Sequence, residues 1–158
     1  METGHKSESM EYPRPYADTF FHAFDSKHRV TFPQPWRAEG YESQLYVAAS
    51  RRGCLLVYPG SCIAQLQKKA NETPIGDEAR REQFANFFGQ LQNMTWDKQG
   101  RVMVKEEKLK FARIKNKAVL RGAGDHVEIW AEEAWKAKQA GAAEKPLTFE
   151  DTASALGM

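Results

Sequence analysis

Apolar and polar positions alternate in short runs along most of this chain, and the runs recur in one order. Residues 19–24 and 29–32 are β-branched and aromatic stretches flanking a polar turn, which predicts two strands joined by a tight loop. Residues 92–96 and 101–104 repeat that form. A short helix is expected after each pair, over 34–39 with Gly40 as its stop and over 106–114 with Leu109, Ala112 and Arg113 at helical spacing. Two further strands follow in each half, 44–49 with 54–58 and 118–121 with 127–130. Each half then closes with a longer helix, carried by Ile63, Leu66 and Ala70 in the first and by Ala131, Ala134, Trp135 and Lys138 in the second. Between the halves, the breaker at 73–76 precedes Asp77, a suitable N-cap for a helix bearing Phe84, Phe87, Phe88 and Leu91. A stripe this aromatic is expected in a core or a subunit interface.

The recurrence is an internal repeat. Residues 24–32 align without gaps on 96–104, an offset of 72 residues. The same offset sets 45–47 over 117–119 and 55–58 over 127–130, with apolar or aromatic residues at most shared positions. The expected organisation is a mobile extension over 1–18, a first half over 19–72, a central helix and linker over 73–90, a second half over 91–138 and a mobile tail over 139–158.

At 158 residues, 41% hydrophobic, the chain can bury one sizeable core. It has no apolar run of the ~18 residues a membrane span needs. Its first residues hold no apolar stretch of a secretory kind, so a cytoplasmic protein is expected, with Cys54 and Cys62 as reduced thiols. The net charge of +2 hides an uneven distribution. Residues 101–121 carry eight Lys and Arg against two Asp and Glu, whereas 122–158 carry three against seven. Such a basic segment can neutralise phosphates, or serve as a solvated helix face.

The repeat places Asp-x-x-x-Arg at the same point of both halves, Asp25 with Arg29 and Asp97 with Arg101. An Asp entering a tight turn can accept backbone N–H bonds from residues just beyond it, and Gly100 supplies a positive φ if the turn needs one. An Arg four residues on can fold back on the carboxylate or point outward. A rigid loop presenting Arg, with Lys27 beside it in the first half, suits phosphate or guanine, since the guanidinium fork donates paired hydrogen bonds to either. Catalysis by His22, Asp25 and His28 with Cys54 as nucleophile lacks any glycine-flanked nucleophile or paired carboxylates, and the chain has no glycine-rich phosphate loop. Cys54, Cys62 and the four histidines have no metal-ligand spacing.

These loops and their surroundings resemble the MraZ family of bacterial transcriptional regulators. The similarity rests on 24–33 followed by Trp36 and Arg37, on 54–59 (Cys-Leu-Leu-Val-Tyr-Pro), on 79–84, on 97–102, and on 124–130 followed by Trp135, and it covers roughly residues 19–137. The resemblance implies a mainly β fold with short helices, built of two tandem swapped-hairpin, AbrB-like halves that form an intramolecular pseudo-dimer. It also implies ring-shaped homo-oligomers that bind short direct repeats in double-stranded DNA upstream of their own division and cell-wall operon and repress it. Carried onto this chain, the DNA contacts are Lys27 and Arg29 in the first loop and Arg101 in the second, with Lys98 and Gln99 as accessory contacts. Asp25, Asp97 and Gly100 hold the loops in shape. The resemblance implies no enzyme, cofactor, metal, membrane or small-molecule substrate, and a cytoplasmic, nucleoid-associated protein. His28 stands where the family has Gly, so a left-handed conformation there costs strain or changes the loop. Lys105 replaces a proline after the strand, which loosens the helix start. A ring-forming protein-interaction scaffold, or an RNA-binding protein without operator recognition, is the other reading; salt-sensitive, sequence-dependent affinity separates it from an operator-binding regulator.

Overall fold

Among the described residues the alternating runs become eight strands, and their pairing separates neighbours in sequence. The computed structural model describes residues 14–142 and 148–158. Its strands are β1 (Thr19–Ala23), β2 (Arg29–Thr31), β3 (Leu45–Ala49), β4 (Leu55–Pro59), β5 (Gln92–Met94), β6 (Arg101–Met103), β7 (Lys117–Gly122) and β8 (Val127–Ala131). Six form an antiparallel sheet in the order β1-β7-β8-β4-β3-β5, and β2 pairs with β6 in a separate two-stranded ribbon. With short helices around it, the fold is mixed α and β with mainly antiparallel strands.

The strands on either side of each polar turn therefore do not pair with each other, as a local hairpin would. Asp25 N–H donates to Arg29 O at 2.8 Å and closes the turn, after which β1 runs to β7 and β2 to β6. The cross-pairing sets Val30 opposite Val102, and both are buried. Burial of these two valines favours the long-range partner.

The registers relate the halves directly. Val30 faces Val102 and Leu56 faces Glu128, each pair 72 residues apart. One part of the gapless alignment is corrected. Leu45 pairs with Pro59 and Ala118 with Ala131, so carrying Pro59 onto Ala131 carries Leu45 onto Ala118, not Lys117. The second half has one extra residue before β7, in the stretch where Arg113 takes a φ of 58°.

The expected first helix shortens to a 3-10 turn, Gln34–Arg37, which Pro33 caps, Pro35 opens and a left-handed Gly40 follows. The helices are α1 (Gly60–Asn71), α2 (Glu78–Gly89), α3 (Glu106–Phe111), α4 (Glu132–Ala140) and α5 (Phe149–Ala155). Asp77 caps α2 by accepting from Arg80 N–H at 3.2 Å. None of the residues of α2 is buried, so its phenylalanines are not part of the core. Helix α3 stops at Phe111 because the chain turns left-handed at Arg113.

The core lies between the sheet and the ribbon. Trp36, Phe32, Leu45, Leu55, Leu120 and Ile129 are its largest fully buried side chains. Tyr16 joins them, although it falls in the stretch expected to be an extension. It forms a bridge with Gly124 and packs edge-on against Trp36 at 5.8 Å. Within the expected tail, α5 is closed by a capping box between Thr148 and Asp151. The remaining parts of the two extensions, 1–13 and 143–147, lie outside the described residues.

Candidate nucleic-acid interface

Each Asp-x-x-x-Arg loop is built by the same hydrogen bonds. In the first, Asp25 Oδ1 accepts from the N–H groups of Lys27 and Arg29, both at 2.9 Å, and Oδ2 accepts from Arg29 Nε at 2.8 Å. In the second, Asp97 Oδ1 accepts from Gln99 N–H at 2.9 Å and Arg101 N–H at 3.0 Å, and Oδ2 from Arg101 Nε at 3.1 Å. His28 and Gly100 close the turns, donating to the carbonyls of Asp25 and Asp97 at 3.0 and 2.9 Å. The backbone N–H of each Arg contributes most to holding its aspartate's pKa below the ordinary carboxylate value, outweighing the opposing effect of desolvation. Both arginines thus fold back on their aspartates, and their side chains stay about a third exposed, 28% and 30%.

His28 adopts a left-handed conformation like that of its equivalent in the repeat, with φ 63° beside 80° at Gly100. The loop keeps its shape and bears the strain, of order 1 kcal/mol.

The ribbon joins the two loops. Phe32 N–H donates to Gly100 O at 2.8 Å and Val104 N–H to His28 O at 3.0 Å, so the loops sit at opposite ends of the ribbon, roughly 13 Å apart at ~3.3 Å per residue. With Val30 and Val102 turned into the core, strand alternation turns Arg29, Thr31, Arg101 and Met103 to the other face. Lys27, Lys98 and Gln99 are exposed at the loop tips. Thr31 and Met103 were not singled out among the candidate contacts, yet period-two alternation around the two buried valines marks them.

Arg37 is a further residue that the motifs left without a role. Its Nε donates to Phe32 O at 2.7 Å, and its guanidinium lies against Gly100 where a Cβ would stand. Gly100 is therefore held by both its φ and this close approach. Gly100→Ala is expected to destabilise the protein by about 1–2 kcal/mol, read as a fall of several degrees in Tm.

Cys54 is buried beside Val119, Trp130 and Trp135, in a small cluster away from both loops. Among the described residues, no three His, Cys, Asp or Glu side chains are grouped to hold a metal ion. No helix among them is long and apolar enough to cross a membrane.

Comparison with known proteins gives a consistent family. The family model described as "MraZ protein, putative antitoxin-like" matches residues 87–156. The chain is 30% identical over 141 residues to the transcriptional regulator MraZ of Finegoldia magna, covering 89% of this chain and 96% of that relative. It is 30% identical over 137 residues to the protein of that name from Lactiplantibacillus plantarum, covering 87% and 94%. With the protein of that name from Clostridium acetobutylicum the identity is 31% over 114 residues, 72% and 80% of the two chains.

Proposed function

This chain belongs to the MraZ family of transcriptional regulators, which are not enzymes, and from that premise we propose that it binds DNA sequence-specifically through its two Asp-x-x-x-Arg loops. One observation carries the reading. Two loops of the same hydrogen-bonded geometry hold Arg29 and Arg101 on one face of a two-stranded ribbon, with Met103 across from Arg29 and Thr31 across from Arg101. A two-stranded ribbon fits the DNA major groove, and arginine is the residue best suited to guanine there. The DNA proposed is a set of short direct repeats upstream of its own division and cell-wall operon, which binding represses, in the cytoplasm and nucleoid and without a cofactor. Lys27, Arg29 and Arg101 are the principal contacts and Lys98 and Gln99 accessory ones, while Asp25, Asp97 and Gly100 shape the loops.

The chain is read as an intramolecular pseudo-dimer of swapped hairpins. This is supported by the self-equivalent pairs Val30–Val102 and Leu56–Glu128, and by the matched cross-ribbon bonds of residues 28 with 104 and 100 with 32. A homo-oligomeric ring is supported by α2, where Phe88 stacks on Phe84 and meets Phe87 edge-on, all three staying only half-buried beside a groove of about 510 Å³ between α1 and α2. Several loops in one assembly then bind repeated sites together, so that weak contacts sum.

The test is a salt-stepped anisotropy titration on the duplex upstream of its own coding region and on a scrambled duplex. Tighter binding to the first, weakening steeply with salt, is expected. Equal, weak binding to both would reject operator recognition and leave a protein or RNA partner. Phe84→Glu combined with Phe88→Glu is expected to yield a smaller species in sedimentation velocity with unchanged far-ultraviolet circular dichroism. A wild-type protein sedimenting as a single 18.0 kDa chain would reject the ring.

A further inference from the structure

The sheet brings a second basic element to the first loop. Beyond α3 the chain turns at Arg113 and runs through Lys115, Asn116 and Lys117 into β7. The end of β1 packs against that corner, with Ala23 paired to Lys117 and Phe24 N–H donating to Asn116 O at 2.6 Å. Phe24 immediately precedes Asp25, so the corner is fixed one residue from the first loop. Asn116 Oδ1 accepts from Lys117 N–H at 2.7 Å and holds the corner's shape. Arg113, Lys115 and Lys117 are exposed, and none of them is in an ion pair among the described residues. Glu132 and Glu133 line the same shallow hollow, and Glu132 leans to Lys136 at 3.9 Å.

The second loop has a different neighbour. Leu45 pairs with Met94, two residues before Trp96, so residues 42–44 occupy the matching corner. They are Glu42, Ser43 and Gln44, with no cation. Glu42 accepts from Ser61 N–H at 2.8 Å, and Gln44 is bonded to Asn93. The two corners are thus alike in register and unlike in charge, and the cation nearest the second loop is instead Arg37, which lies against Gly100.

We infer that Lys115 and Lys117, with Arg113 beside them, hold the phosphate backbone of the duplex read by the first loop. The first half becomes the anchoring end of an unequal interface. The inference rests on the DNA reading above and deepens it. Lysine is a compact point charge on a flexible stem, suited to phosphate without regard to sequence, whereas register and discrimination belong to the loop arginines.

The test compares wild-type protein with Lys115→Gln combined with Lys117→Gln. Lys68→Gln combined with Lys69→Gln, on exposed α1, controls for charge alone. Loss of two phosphate contacts lowers the slope of log affinity against log salt by about 1.8 and weakens binding at physiological salt roughly tenfold, equally on upstream and scrambled duplexes. The preference between the duplexes stays unchanged. An unchanged slope, or an equal change in the α1 control, overturns the clamp while leaving operator recognition standing. Wild-type protein that binds neither duplex overturns the DNA reading itself and the clamp with it.

Discussion

Arg29→Ala lowers the preference for the operator duplex roughly tenfold to hundredfold while leaving fold and assembly in place. The geometry makes this variant clean. Asp25 keeps the backbone N–H groups of Lys27 and Arg29 when the guanidinium is gone, so the loop retains its framework. The lost ion pair is solvent-exposed in part on both sides, where water and salt screen it, and it contributes little to stability. Paired hydrogen bonds from arginine to guanine are worth about 1–3 kcal/mol of discrimination, so one arginine accounts for roughly a tenfold to hundredfold change. With Arg101→Ala added, binding to the upstream duplex falls to the scrambled-duplex level. Arg29→Lys is the informative companion. It keeps the charge and hence the salt slope, yet loses the fork and with it the same share of the preference. Anisotropy titrations of the three variants, with sedimentation to confirm assembly, check this. An unchanged preference in Arg29→Ala would remove the first loop from sequence reading. Asp25→Ala, by contrast, strips the acceptor from two backbone donors and is expected to lose both preference and loop order.

Local pattern carried the element list because each strand is short and bounded by turn residues, as at 29–32 and 101–104. It could not carry the partners. Whether Val30 lies beside β1 or beside Val102 depends on which arrangement buries more apolar surface, and that is a long-range quantity. The one-residue shift of Leu45 onto Ala118 was hidden for a related reason, since a run of similar apolar residues fits two registers almost equally well. The aspartate-arginine loops were legible down to the left-handed site at His28, because Gly100 marks its equivalent in the repeat. Arg37 against Gly100 and the lysine corner beside Phe24 were not. Both are contacts between distant stretches of chain, and no spacing in the sequence encodes them.

Glu128→Gln is expected to cost about 3 kcal/mol and to flatten the acid limb of the stability curve. Glu128 is buried on β8, which alone would raise its pKa. Hydrogen bonds reverse that effect. Trp130 Nε1 donates to Oε1 at 2.9 Å, Arg121 donates to the same oxygen through Nε at 3.0 Å and Nη2 at 2.7 Å, and Arg52 Nη2 donates to Oε2 at 3.0 Å. Together they hold the carboxyl down at about 2. A carboxylate depressed by folding stabilises the native state above its unfolded pKa, and that stability disappears as pH falls through the folded value. The window is therefore about pH 5 down to about pH 2, and the gap corresponds to about 3 kcal/mol. The arginines limit the damage in the variant, since Arg52 and Arg121 are 47% and 31% exposed and can regain water. Trp130 is buried and retains only a neutral acceptor, the amide oxygen of the substituted side chain. Asp25 and Asp97 are also depressed and add to the same acid limb, but Glu128→Gln leaves their share untouched. Urea unfolding at steps from pH 7 to pH 2 separates the contributions. The midpoint gap between wild type and variant should be widest at neutral pH and close toward pH 2. A gap that stays constant across the range would mean that the charge of Glu128 contributes nothing and that packing alone accounts for the cost.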